Sequence, residues 1–310
     1  MTDAAVVASS TEAIRNGSQS FAAAARLFDV ETRNDCVMLY AWCRHCDDVI
    51  DGQALGHDAR ADYRDGQSGR LERLRQETHA AARGTPPDLP VYKALAAVVA
   101  RKRVPVRHLD ELLDGFAMDV AERQYRTFDE VCDYAYHVAG VVGVMMGIIM
   151  GVRDAETLDR AADLGLAFQL TNIARDVIDD ARAGRTYLPA EWLAAEGITD
   201  IDPDDRSQRA ILHRVAVRLV DAAEPYYASA MSGMARLPWR SAWAIAAARR
   251  VYRAIGERLR KAGPSAWDTR ISTSSAEKLW LLTLSLGDVA ASRFGGEPFS
   301  RRGFYQRPGR

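Results

Sequence analysis

The sequence lacks a strong net charge, a long uninterrupted apolar run and a leader-like beginning. Its 41 basic and 42 acidic residues give a formal net charge of −1, so no overall field attracts nucleic acid. The longest near-continuous apolar run, residues 138–152, contains four glycines and is shorter than the roughly 18 to 20 residues that cross a membrane. No basic segment followed by an apolar core occupies residues 1–10. We therefore expect a cytoplasmic protein with no nucleic-acid partner and no transmembrane anchor.

Cysteine is also scarce, which excludes a disulfide framework in a cytosolic chain of this size. The four cysteines are Cys36, Cys43, Cys46 and Cys132. Cys43 and Cys46 form a CxxC motif around His45, and this motif could serve redox chemistry or bind a metal. However, no second CxxC and no HxxxH supplies the further ligands of a zinc site. Packing within a helix is therefore the favoured interpretation.

The abundant residues predict an all-α fold. Hydrophobic residues make up 48% of the chain and recur at spacings of three and four, whereas alternating Val, Ile and Thr runs bounded by hairpin turns are scarce. Gly and Pro clusters interrupt this pattern, but none resembles a long linker between domains. We predict a single-domain helical bundle with helices over residues 11–27, 32–50, 68–83, 89–103, 105–122, 127–151, 154–182, 204–235, 238–262 and 274–292.

The last residues of the chain have a different composition. Residues 295–310 are rich in Gly, Pro and Arg and show little apolar periodicity, which is typical of a mobile terminus. We predict a helical domain over residues 1–294 that is followed by a flexible basic tail. The arginines of this tail could touch lipid headgroups, although a solvated tail is the simpler expectation.

Two acidic pairs interrupt helical segments that are otherwise mostly apolar. Asp47 and Asp51 form one pair, and Asp176 and Asp180 form the other. Residues four apart share a helix face, where like charges are mildly destabilising. A bundle that brings both pairs together would assemble a metal site in its core. A solvated acidic face would explain either pair alone, but it explains both together less well.

The residue types favour magnesium at such a site. Mg²⁺ prefers carboxylate oxygens and is commonly held by one or two carboxylates plus substrate phosphates. A di-iron bundle would need ExxH motifs on two helices, and the sequence contains none. Arg44, Asn172 and Arg175 lie within one helical turn of the acids, which suits a diphosphate held by charge-assisted donors. The two arginines could instead only neutralise adjacent aspartates.

Ionisation of an allylic diphosphate leaves a carbocation, which needs a dry cavity with electron-rich walls. Tyr134 and Tyr136 are candidate walls. The glycines that follow them at spacings of three and four could open a groove for a prenyl chain, or they could allow close packing of helices. Both alternatives remain open at this point. The glycines are Gly140, Gly143, Gly147 and Gly151.

Together these motifs resemble the squalene and phytoene synthase family of head-to-head prenyl synthases, and within it the bacterial phytoene synthases. The similarity spans roughly residues 14–290, and its most specific segment is QLTNIARDVIDD at residues 169–180. The other segments that carry it are residues 17–21, 40–51, 138–143 with Tyr134, 185–189, 252–255 and 267–270.

The resemblance implies an isoprenoid-synthase helical bundle with a central cavity, and it implies roles for the matching residues. The implied metal ligands are Asp47, Asp51, Asn172, Asp176 and Asp180. The implied substrate-binding residues are Ser18, Ser20, Arg44, Asn172, Arg175, Arg270, Val138 and Gly143. The implied catalytic residues are Tyr40, Arg44, Tyr134, Gln169, Asn172, Tyr187 and Tyr252.

The resemblance also implies a reaction. Two geranylgeranyl diphosphates would condense head to head through prephytoene diphosphate to 15-cis-phytoene, the first step of carotenoid biosynthesis, with Mg²⁺ or alternatively Mn²⁺ and without NADPH. Because such substrates and products partition into lipid, we expect peripheral contact with the inner face of the membrane and with enzymes of the carotenoid pathway.

Three other interpretations are considered. Squalene or dehydrosqualene synthesis from farnesyl diphosphate is the main alternative within the family. The dipeptide His57-Asp58 suggests an HD-type phosphohydrolase, but no partner His and Asp set is evident. A non-enzymatic helical scaffold would explain the helices but not the two acidic pairs.

Overall fold

The computed structural model describes Val7, Ser10, Thr11 and residues 24–53, 64–294 and 299–309, and these residues form helices and no strands. The all-α prediction is thereby confirmed. The predicted helix over residues 11–27 lies largely outside the described residues. The α-helices are α1 (Val30–Asp51), α2 (Gln67–Ala82), α3 (Pro90–Lys102), α4 (Val106–Val120), α5 (Phe128–Ala135), α6 (Val141–Ile149), α7 (Ala155–Arg182), α8 (Ala190–Ala195), α9 (Arg209–Gly233), α10 (Trp239–Ala262) and α11 (Ser275–Arg293).

Side-chain caps define where the two helices with acidic pairs begin. The Asp29 carboxylate accepts a hydrogen bond from the Thr32 amide at 2.9 Å at the start of α1. The Asp154 carboxylate accepts one from the Thr157 amide at 2.9 Å at the start of α7. Such caps satisfy backbone N–H groups that have no partner within the helix. At the other end of α1, Gly52 adopts the left-handed conformation that commonly terminates a helix.

Helix α7 is the central element of the bundle. Its 28 residues give it a length of about 42 Å, and it packs against α6, α9, α10 and the turn between α5 and α6. Leu166, Leu170 and Ile173 are buried along it. One end of α7 carries the second acidic pair, so the helix connects that pair with the opposite end of the core.

A π-turn, Tyr136–Gly140, joins α5 to α6 inside the stretch that the sequence predicts as one helix. Glycines let α7 approach this region closely. A Cβ on Gly165 would lie 2.3 Å from the Ala139 carbonyl oxygen, and a Cβ on Gly143 would lie 2.3 Å from that of Ala161. Close helix packing is therefore one function of the glycine run.

The helical stretch Phe128–Ile149 is long and apolar enough to cross a membrane by length and composition. The apolar run that is evident in the sequence starts only at residue 138, so the longer stretch was not anticipated. In the structure, 72% of the apolar window is buried inside the protein. A core helix passes the same test, so the stretch is weak evidence for a membrane span.

Residues 299–309, which belong to the predicted flexible tail, pack against the bundle. The Phe304 ring lies 4.6 Å from that of Tyr226, and the Tyr305 hydroxyl donates to Asp133 at 2.9 Å. Arg307 is only 6% exposed. Aromatic rings and arginines in this segment find partners on distant helices, which its composition alone does not reveal.

Candidate active site

A cavity of about 380 Å³ lies among α1, α4, α6, α7, α9 and α10. Most of its wall is apolar, and polar residues are concentrated at one end, which we call the mouth. Apolar residues in the wall include Phe28, Leu112, Phe116, Val142, Met146, Leu164 and Ile245. Polar residues at the mouth include Tyr40, Arg44, Asp47, Asp119, Gln169, Asn172 and Tyr252.

The first acidic pair lies in the last turns of α1. The Arg44 Nη1 atom is 2.9 Å from an Asp47 carboxylate oxygen, and Asp47 faces the cavity. The Arg185 Nη2 atom donates to the Asp51 carboxylate at 2.7 Å. Arg185 follows α7 in the chain, so this contact ties the end of α7 to the end of α1.

The second acidic pair lies in the last turns of α7. The Arg175 Nε atom donates to the Asp176 carboxylate at 2.8 Å, and the Arg270 guanidinium lies 3.7 Å from the same group. Among the described residues, the structure gives the Asp180 carboxylate no hydrogen bond or ion pair. The two members of this pair are therefore unequally compensated.

Asp119 and Arg185, which the sequence analysis did not select, connect the two acidic pairs. The Asp119 carboxylate accepts hydrogen bonds from Tyr187 at 2.8 Å and Tyr134 at 3.2 Å. Its charge acts on Asp47, Asp51 and Asp180, and the charge of Arg185 acts on Asp51 and Asp180. The two pairs therefore face a common space at the mouth.

Burial and mutual repulsion make ionisation of these carboxylates unfavourable. Burial raises the pKa of Asp180 to about 8, and the charge of Asp176 adds to this rise. Burial raises the pKa of Asp47 to about 7 in spite of Arg44. Burial also raises the pKa of Asp119 to about 6, with Arg185 opposing the rise. The mouth thus favours a further positive charge.

The Asn172 side chain supplies a second sign of an unsatisfied site. Its Oδ1 atom is buried and has no hydrogen-bond partner among the described residues. An isolated buried acceptor costs free energy, about 1–3 kcal/mol. Asn172 lies one turn before Asp176 and faces the cavity, so the oxygen is available to a ligand at the mouth.

Aromatic rings line the space next to the acids. The rings of Tyr134 and Tyr187 are stacked at 4.8 Å, and Tyr125 lies 5.2 Å from Tyr134. Across the cavity, Phe168 and Tyr252 are stacked at 4.2 Å. Ring faces attract a positive charge. Phe168 was missed because an aromatic residue in a helix carries no sequence signal that separates a cavity wall from a core position.

The structure brings most of the predicted site residues together. The predicted residues that line the cavity are Tyr40, Arg44, Asp47, Tyr134, Val138, Gly143, Gln169, Asn172 and Tyr252. The residues that contact this set or each other at the mouth are Asp51, Arg175, Asp176, Tyr187 and Arg270. Ser18, Ser20 and the His57-Asp58 dipeptide lie outside the described residues. Cys43 and Cys46 are free and buried.

A family model described as squalene/phytoene synthase matches residues 14–277, and a 15-cis-phytoene synthase of a Paracoccus species is 56% identical over 303 residues, 98% of each chain. The chain belongs to the squalene/phytoene synthase family. A 15-cis-phytoene synthase of Pantoea ananas is 51% identical over 297 residues, 96% of each chain. A dehydrosqualene synthase crystallised with a ligand matches with a TM-score of 0.80 and 26% identity, covering 93% of this chain and 97% of that one.

Family membership confirms the resemblance read from the motifs and places the chain among the prenyltransferases. The structural match confirms the single-domain all-α fold.

Proposed function

We propose that the chain condenses two geranylgeranyl diphosphates head to head, through prephytoene diphosphate, to 15-cis-phytoene, the first step of carotenoid biosynthesis. The observation that carries this proposal is a mouth with two acidic pairs that opens onto an apolar cavity. Relatives at 51% to 56% identity are named 15-cis-phytoene synthase, which favours a C20 substrate over the C15 substrate of the squalene-type alternatives.

The donor set at the mouth fits Mg²⁺, with Mn²⁺ as an alternative. Asp47, Asp51, Asn172, Asp176 and Asp180 would hold the ions. Within the described part of the chain, no group of three or more His, Cys, Asp or Glu side chains is placed to hold an ion by itself, and Mg²⁺ commonly completes its shell with substrate phosphates and water. The bound metal would neutralise the diphosphate as it leaves.

The protein's own residues would bind the diphosphates and protect the reacting carbons. Arg44, Arg175 and Arg270 lie beside the acids and can donate charge-assisted hydrogen bonds to phosphate oxygens. Tyr134, which lines the cavity, and Tyr187 donate their hydroxyl protons to Asp119, so neither presents a free O–H group to the reacting carbons. The apolar wall excludes water, which would otherwise capture a carbocation.

Product analysis tests the proposal directly. The purified protein would be incubated with Mg²⁺ and either geranylgeranyl or farnesyl diphosphate, without NADPH, and the hydrocarbon extract analysed by mass spectrometry. A C40 hydrocarbon from the first substrate is the expected result. A C30 product from the second substrate alone would move the assignment to dehydrosqualene synthesis, and no diphosphate release from either would end the enzymatic interpretation.

The membrane contact that we also propose is supported by the exposed side of α11. Between residues 276 and 291, no exposed residue of this helix is charged. Leu279, Trp280 and Leu286 are among the exposed large apolar side chains, and Phe294, just past the helix end, is 88% exposed. An apolar helix face of this kind suits the interfacial region of a bilayer.

Basic residues beside this face favour an anionic lipid surface. The Arg293 guanidinium lies 5.6 Å from the Trp239 ring and donates to the Leu237 carbonyl at 2.8 Å. Arg240 donates to the Leu27 carbonyl at 2.9 Å. Both arginines thus bind carbonyl oxygens and keep their charge available to lipid phosphates. A C40 product could leave into the bilayer, where carotenoid-pathway enzymes would take it up.

Vesicle sedimentation tests this contact. We expect binding to phosphatidylglycerol vesicles, weaker binding to phosphatidylcholine, and roughly tenfold weaker binding of the L279S/W280S variant because apolar area is lost. Leu89→Ser, at an exposed leucine on another surface, is the matched control. Unchanged vesicle binding by the double variant would refute the assignment of this face, and a change in oligomeric state without lipid would assign the face to a second copy.

A further inference from the structure

The end of the cavity opposite the mouth is closed by buried residues. Met150, Val152, Thr157, Arg160 and Met234 line this end, and each is less than 9% exposed. Thr157 and Asn172 lie on the same helix 15 residues apart, so the closed end is about 22 Å from the mouth. A prenyl chain whose diphosphate is held at the mouth would extend toward this end.

Arg160 is the one charged side chain at the closed end among the described lining residues. Its guanidinium pairs with Glu156 of the same helix at 3.4 Å rather than with an acid across the cavity. In addition, Nη1 donates to the Ser229 hydroxyl at 3.0 Å and Nη2 donates to the Phe299 carbonyl at 2.7 Å. The stem is equally confined, because a Cβ on Gly233 would lie 2.8 Å from the Arg160 Cβ. The Arg160 side chain therefore lines the closed end of the cavity, and residues outside the cavity hold its guanidinium.

The segment that holds Arg160 is residues 299–309, which we call the strap. Arg301 binds Asp163 with two hydrogen bonds of 2.8 Å, from Nε and Nη2. Arg307 Nε donates to Asp159 at 2.6 Å. Both aspartates are almost completely buried on α7, where charges persist only when paired and hydrogen-bonded. The Ser229 hydroxyl that binds Arg160 also donates to Asp163, so the strap and Arg160 belong to one hydrogen-bond network.

We propose that the strap, acting through Arg160, closes the far end of the cavity and limits the length of the prenyl chain that the enzyme accepts. The proposal deepens the proposed function, because it concerns the substrate class of the same cavity. The strap anchors the network from outside, Arg160 occupies the end of the cavity, and the chain length that fits is set by the distance from the mouth to this side chain.

Binding of inert substrate analogues tests the limit without requiring turnover. Thiolodiphosphate analogues with C15, C20 and C25 chains would be titrated by calorimetry in the presence of Mg²⁺. We expect Arg160→Ala to raise the ratio of C25 to C20 affinity roughly tenfold, because a hydrophobic pocket discriminates added carbon groups by factors of this order. Arg160→Met keeps most of the side-chain length but loses the contacts to Ser229 and Phe299, so we expect a smaller shift than in Arg160→Ala.

The strap is tested by a variant that leaves no buried charge unpaired. R301Q/D163N replaces the bidentate pair with neutral side chains of similar size, and we expect a smaller shift toward C25. The control is R260Q/D221N, the same exchange at an exposed pair between α9 and α10, which should leave the ratio unchanged.

An unchanged ratio in Arg160→Ala, with a wild-type thermal transition, would overturn the proposal. An unchanged ratio in R301Q/D163N would overturn the role of the strap and leave only that of Arg160. A shift of equal size in the control would also overturn it, because the effect would then be general. If the wild type forms no hydrocarbon from geranylgeranyl diphosphate, the proposed function fails, but the analogue ratio still decides the chain-length limit.

Discussion

Helix α7 carries two pairs of aspartates with the same spacing, and the two pairs have opposite environments. Asp159 and Asp163 lie near its start, and each binds an arginine of the strap. Asp176 and Asp180 lie near its end, and Asp180 has a pKa raised by burial to about 8. The DxxxD spacing alone therefore does not distinguish a structural pair from a candidate metal site. The distinction comes from the partners that the fold brings to each pair.

The largest effect on stability is expected from loss of an arginine that pairs with the aspartates at the start of α7. Arg307→Met removes a partner of Asp159, a buried carboxylate whose other oxygen lies 3.3 Å from Arg301. Loss of one member of a buried pair costs about 3–5 kcal/mol, and we expect that loss in urea unfolding followed by circular dichroism. A loss below about 1 kcal/mol would show that the strap is not tightly held.

A substitution in the pair near the end of α7 should affect activity instead. Asp176→Asn is expected to lower turnover by about 10²–10³-fold, the range observed when one preorganised electrostatic group is lost from an active site. The helical circular-dichroism signal should remain unchanged, because the carboxylate stabilises the reaction more than the fold. Asp47→Asn should behave alike, and retained activity in both variants would contradict the metal assignment.

Asp176 and Asp180 were selected from the sequence, whereas Asp159 and Asp163 were overlooked. Both pairs are visible as DxxxD in the sequence, and the mostly apolar stretch that precedes residues 176–180 directed attention to that pair. The partners of Asp159 and Asp163 lie about 140 residues further along in a segment without helical periodicity. No local pattern indicates such a contact, and the tail was accordingly predicted to be flexible.

The helices were predictable to a greater extent than the site. The helices predicted over 68–83 and 89–103 correspond to α2 (Gln67–Ala82) and α3 (Pro90–Lys102), because apolar periodicity and breakers act locally. The short α8 and the π-turn were missed, since one is too short for a periodic pattern and the other depends on packing against α7. Asp119 was missed because it is a single acid near a helix end, and its role comes from Tyr134 and Tyr187 of distant elements.

The stability of the metal-free protein should depend on pH because Asp180, unlike Asp159 and Asp163, has no arginine bound to it among the described residues. The pKa of Asp180 is about 8 in the folded chain against an ordinary value of 3.8, so the folded state binds more protons between pH 4 and pH 8. Its contribution to stability is therefore present below about pH 4 and is lost as the pH rises toward about 8.

Asp180→Asn removes this titration. In EDTA, we expect the variant to gain at least about 1 kcal/mol of stability relative to wild type between pH 5 and pH 8.5, measured by urea unfolding at both values. An equal difference between the two proteins at both pH values would mean that Asp180 is already ionised and compensated in the folded chain.

The smallest expected effect comes from an ion pair of the same composition that lies on the surface. Asp221 and Arg260 pair between α9 and α10 with side chains that are 61% and 44% exposed, so water and salt screen the attraction. Arg260→Gln should lower stability by less than about 1 kcal/mol, and 0.5 M salt should abolish the difference. A cost comparable to that of Arg307→Met would show that pairing alone, rather than burial, determines how strongly an arginine holds an aspartate in this protein. A small cost would show that the strap is held on the bundle because its partners Asp159 and Asp163 are removed from water.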